Sequence, residues 1–139
     1  MTLVRARVTL LVVFLASLLI QYFAVVSAFL RSRIYSDELS DLTWALIKVY
    51  SIPLAIVIGG IFSAFSARAN SATKITPRHY FWIAFVLVLI WNLFLIWRST
   101  AFGFFGVGTV IDIARHINQV STYYSWLLAG CLAFYFSRR

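Results

Sequence analysis

VTLLVVFLASLLIQYFAVVSAFL, residues 8–30, runs for 23 residues without a charged side chain. At about 1.5 Å of rise per residue, a helix of that length exceeds the roughly 30 Å hydrocarbon core of a bilayer. Backbone groups in hydrocarbon find no water, so such a segment must satisfy them internally, as a helix. Three further stretches read the same way. Residues 43–65 carry one charge, Lys48. Residues 80–97 carry none, and residues 117–136 carry none but are polar in their first half. The sequence therefore predicts an all-α integral membrane protein: a single-domain bundle of four transmembrane helices over residues 1–139, with no soluble domain.

Composition points the same way. Hydrophobic residues make up 63% of the chain and charged residues 12%, with a mean hydropathy of +0.92. A soluble domain carries about one quarter charged residues. So few charges leave lipid as the solvent for most of the surface. Residues 1–30 also contain the pieces of a signal peptide, namely Arg5, Arg7 and Val26-Ser27-Ala28. The apolar run is long for a signal, and the first segment is expected to remain as a span.

The boundaries carry local chemistry. Ser36-Asp37-Glu38 offers a capping hydroxyl and two acids where a helix would begin, ahead of the second span. Thr76-Pro77 has the form of a cap with proline at the first helical position. Gly103, Gly106 and Gly108 interrupt a very apolar stretch between the third and fourth spans. That stretch is expected to be an interfacial or extended segment, with a helical pattern from Thr109 onward.

Charge sets the orientation. With both termini in the cytoplasm, the cytoplasmic segments hold Arg5, Arg7, Arg68, Lys74, Arg78, Arg138 and Arg139 and no acid. The far side holds Arg31, Arg33, Arg98 and Arg115 with Asp37, Glu38, Asp41 and Asp112. The excess of base in short cytoplasmic connections follows the positive-inside rule. The net charge of +8 is thus spread over span ends. It forms no stripe of base and aromatic, so no nucleic-acid partner is expected. Attraction to anionic headgroups accounts for the same residues. Trp44, Tyr80, Trp82 and Trp97 fall at span ends, where aromatic rings favour the headgroup level.

Few residues suggest chemistry. Lys48 is the one charge inside a span, one turn from Trp44, and is expected to extend its ammonium to the interface; a place on an ion pathway is the alternative. Gln21 and Asn92 lie deep in the first and third spans and read as hydrogen-bonding glue between helices. Asp112, Arg115, His116, Asn118 and Gln119 form the densest polar group. They are either a solvated helix end or the mouth of a vestibule in an oligomer, where His116 would respond to pH. His79 and His116 fall on opposite sides of the membrane, and the acids are confined to one side. Neither a metal or haem cofactor nor an enzyme activity is expected from that distribution. Cys131 is the only cysteine, which excludes an intrachain disulfide.

The sharpest pattern is steric. Ser51, Ala55, Gly59 and Ser63 recur every four residues in the second span, and Ser121, Ser125, Ala129 and Ala133 in the fourth. Small residues at that spacing let helix backbones approach, either within the chain or between chains. The third span is bulky and is expected to face lipid or an outer ring. Pro53 removes a backbone hydrogen bond and is a candidate kink.

Two functions compete. In one, the chain is the membrane-embedded subunit or partner of a protein complex, docking through its basic cytoplasmic turns or its small-residue seams. In size and span number it resembles bacteriocin immunity proteins and the membrane subunits of antiphage defence systems, and that resemblance implies an immunity or antiviral-defence role. In the other, it assembles with itself as a channel-like or pore-forming effector. A small transporter or flippase ranks third, because no acid lies inside a span. A bacterial inner membrane is the expected location.

Overall fold

The computed structural model describes the backbone of residues 3–66 and 78–137, and the side chains of residues 5–62 and 81–135. Four helices follow one another: α1 Leu3–Leu30, α2 Ser36–Ser66, α3 Arg78–Phe105 and α4 Val110–Ser137. Among the described residues there is no strand. Three helical stretches, Arg5–Leu30, Ser36–Phe62 and Phe81–Phe105, are long and apolar enough to cross a membrane. The fourth helix is not among them, because its first turns hold Asp112, Arg115, His116, Asn118 and Gln119.

The helices form a square in the order α1, α2, α4, α3. The backbone of α1 packs against α2 and α3, and that of α4 against the same two. Each helix buries one narrow stripe: in α1, Leu10, Phe14, Ser17, Gln21, Val25 and Ala28. Steps of three and four residues keep such a stripe on one face of a helix. At the centre Phe14, Tyr50 and Trp91, from three different helices, meet edge to face. Their ring centroids are 5.1 to 6.3 Å apart, an arrangement that suits the ring quadrupoles.

Asp37 and Glu38 lie in the first turn of α2, with Asp41 one turn further on, and Asp112 lies in the first turn of α4, all at one end of the bundle, here the acidic end. They face the positive ends of two helix dipoles. At α2 the Glu38 carboxylate accepts from the Tyr35 N–H at 2.8 Å. The cap is therefore Tyr35, with Ser36 already helical. At α4 the cap is reciprocal. Asp112 accepts from the Thr109 N–H and hydroxyl at 3.1 and 2.8 Å, while Thr109 Oγ1 accepts from the Asp112 N–H at 3.2 Å. This is a capping box.

The turns on this end are tight. Ser32, at φ 54°, closes α1 with N–H bonds from Ser32 to Phe29 and from Arg33 to Ala28, the Schellman pattern. Gly106, at φ 72°, closes α3, donating to the Phe102 carbonyl. The expected extended segment before α4 shrinks to Gly106–Thr109, since α3 continues as helix through Phe105.

Gly103 sits inside that continuation for a steric reason. A Cβ there would overlap the Ala24 carbonyl and lie 2.8 Å from the Ala24 Cα. The backbones of α1 and the bulky α3 thus approach closely here. Ala24 and Ala28, both fully buried, line the approach from the α1 side.

Candidate functional site

The interior holds a chain of hydrogen bonds running one way. Asn92 Nδ2 donates to the Val88 carbonyl at 2.8 Å, and Tyr50 Oη donates to Asn92 Oδ1 at 2.9 Å. Gln21 Nε2 donates to Tyr50 Oη at 2.5 Å, and the Ser99 hydroxyl shares its proton between the Leu95 carbonyl at 3.0 Å and Gln21 Oε1 at 3.3 Å. Gln21, Tyr50, Asn92 and Ser99 are each at most 2% exposed. The chain ties α1, α2 and α3 together, running from the middle of α3 at Asn92 toward the acidic end at Ser99. Every amide oxygen and the phenol find a partner, as buried polar groups require. Trp91 Nε1, beside Tyr50, and Ser125 Oγ of α4 are buried without a hydrogen-bond partner among the described residues.

Gln21 and Asn92, singled out in the sequence, are thus joined through Tyr50, which composition alone does not mark. Tyrosine in an apolar run reads as an interfacial or packing residue. Only its place opposite two amides gives it this role.

Near the opposite end of the bundle, Arg7 is buried and donates to the Gly60 carbonyl of α2. The sequence places it among the cytoplasmic charges; in the fold its guanidinium joins the first turns of α1 to the later part of α2. Arg68, Lys74, Arg78, His79, Arg138, Arg139 and Ser63 lie outside the residues whose side chains are described.

The remaining candidates face outward. Lys48 is exposed, midway along α2 and one turn from the exposed Trp44. Ser51, Ala55 and Gly59 are also exposed, and a Cβ on Gly59 would meet nothing within 4 Å. The stripe on α2 therefore lies on the outside of the single chain. The one on α4 rotates across the surface: Ser125 is buried, Ala129 half-buried and Ala133 exposed. Pro53 is buried within an unbroken α2.

The polar group on α4 divides. His116 Nε2–H donates to the Phe94 carbonyl of α3 at 2.9 Å, which fixes the ring against the bundle. Thr109, through its hydroxyl and then its N–H, holds the Asp112 carboxyl below the usual aspartate range. Arg115, Asn118, Gln119 and Thr122 are exposed and line an open trough together with Ile111, Ala114 and Tyr123. All seven belong to α4, so the trough lies on the flank of one helix and not between helices. No hydrogen bond from the side-chain amides of Asn118 and Gln119 occurs among the described residues, in contrast to the interior amides. No family model, curated protein or solved structure matches the chain.

Proposed function

We propose that this chain is an integral membrane protein of four spans with cytoplasmic termini, acting as the membrane-embedded subunit of a protein complex in a bacterial inner membrane. One observation carries the reading: the distribution of polarity is inverted. Val12, Leu19, Phe23, Ile52, Phe62, Ile83, Leu93 and Trp97 are each more than half exposed, while Gln21, Tyr50, Asn92 and Ser99 are sealed inside. A monomeric soluble protein rarely shows a continuous apolar patch above a few hundred Å². Lipid is the medium that favours this exterior. Trp44, Trp97 and Arg98 lie at similar heights toward the acidic end, which supports a headgroup level there. Lys48 then lies within reach of that level by its flexible stem.

The subunit reading rests on what the interior lacks room for. Its centre is filled by Phe14, Tyr50, Trp91 and the amide chain, so one copy encloses no aqueous path along that axis. Activity of this bundle then resides in what its exterior binds. A channel-like homo-oligomer is the second reading, favoured by the outward polar flank of α4.

Fractionation tests the first step. The tagged protein should stay in the membrane pellet through alkaline carbonate washing. Single cysteines at positions 38 and 74, in a chain lacking Cys131, should label from opposite sides. Release by carbonate, or labelling of both from one side, would overturn the reading.

A further inference from the structure

The outward flank of α4 is neither lipid-like nor complete. Arg115, Gln119, Thr122, Trp126, Ala129 and Ala133 follow at steps of four and three residues. That spacing forms one continuous stripe, of the kind that packs two helices at about 20°. Asn118 flanks it. The stripe lies beside the apolar middle of α3, since the Phe94 and Tyr124 rings stack at 6.2 Å and His116 bonds Phe94. If the chain spans a bilayer, as proposed above, Asn118, Gln119 and Thr122 then face hydrocarbon. An amide there without a partner is strongly disfavoured.

We infer that this stripe is the contact surface for a second copy of the same chain, α4 against α4. The chemistry selects that occupant. A carboxamide is donor and acceptor at once, so Asn118 and Gln119 complement themselves across a two-fold axis. Asp112 and Arg115, one turn apart at the edge of the same stripe, have opposite charges and pair crosswise between two copies oriented alike. Trp126 projects from the stripe, 68% exposed, as an aromatic knob for a facing helix. The competing outward stripe on α2 lacks this need. Among its described residues the one hydroxyl, on Ser51, already donates to the Lys48 carbonyl at 2.7 Å.

Cysteine cross-linking in native membranes tests the contact, using the full chain with Cys131→Ser. Gln119→Cys should form an oxidant-dependent disulfide dimer of twice the chain mass. Ala55→Cys on α2 and Ile90→Cys on the exposed face of α3 should stay monomeric. All three positions are exposed in the single chain, so these substitutions leave the bundle intact. As a second arm, Asn118→Leu with Gln119→Leu should weaken dimerisation roughly tenfold in detergent dilution, the scale of several interhelical hydrogen bonds. A monomer at position 119 in carbonate-resistant membranes would overturn the inference while leaving the membrane reading intact. So would a cross-link to a protein of another mass, or cross-linking at position 55 alone. Release of the same sample by carbonate would overturn the membrane reading instead.

Discussion

Two sets of polar residues in this bundle have opposite fates. Gln21, Tyr50, Asn92 and Ser99 point inward and close a hydrogen-bond chain with almost no exposed surface. Asn118, Gln119 and Thr122 point outward and are exposed. The residue types are nearly the same. What differs is whether the chain itself supplies the partner. An inward set answered by its own neighbours specifies how α1, α2 and α3 register. An outward set of the same chemistry contributes nothing to that register and states a requirement on the surroundings. The glycines divide likewise: Gly103 fits where no side chain could, while Gly59 and Gly130 face open space.

The largest expected effect tests the glycine contrast. Gly103→Ala places a methyl group in the Ala24 backbone, which cannot rotate away as a side chain would. A loss of about 3 kcal/mol is expected, at the upper end of overpacking. Gly130→Ala, inside α4 and facing open space, should instead raise the thermal midpoint of the solubilised monomer slightly. Equal shifts would mean that the α1–α3 crossing is not close. Next comes Tyr50→Phe, which leaves Asn92 Oδ1 and a Gln21 N–H buried without partners. About 2 kcal/mol should be lost, the desolvation penalty of orphaned polar groups less what relaxation recovers. Thermal unfolding followed by helical circular dichroism would measure both.

The sequence discloses these features unevenly. Four helices follow from four largely apolar runs, three of them long and apolar enough to cross a membrane and the fourth polar in its first half. The packing faces do not follow. In α1 and α3 leucine, valine and phenylalanine occur all round, so the buried Leu10 and the exposed Leu19 look alike. Gln21 and Asn92 stand out by residue type, whereas Tyr50 and Ser99 are recognisable only once three helices converge. Gly103 is misleading because three glycines in six residues read as a loop. Here one of them serves a close helix crossing and Gly106 supplies the left-handed turn. The four-residue repeat of small side chains also has a geometric limit. A step of four advances about 40° beyond one turn, so the repeat that starts near the inner face of α4 ends on the outer face at Ala133.

A smaller effect concerns the acidic end, where polar groups are again answered locally. Thr109→Ala removes the hydroxyl from the α4 capping box and should lower stability by about 1 kcal/mol. Because the Asp112 carboxyl is held below its ordinary range by Thr109, its contribution is present above the unfolded-state value. It is lost as pH falls through the lower, folded value. The difference between wild type and Asp112→Asn should therefore be constant near neutrality and shrink below about pH 4. A difference that grows on acidification would contradict the box.

The smallest expected effect is the sharpest test of the opening contrast. In monodisperse monomer, Asn118→Leu with Gln119→Leu should change stability by less than about 0.5 kcal/mol, the range of surface substitutions that touch nothing. Tyr50→Phe, in the inward set, should shift the same monomer several times further. If the outward pair instead matched Tyr50→Phe, those amides would have partners within the chain, and the surroundings would no longer be needed to complete them. A null in the monomer together with weaker self-association would place their hydrogen bonds between copies.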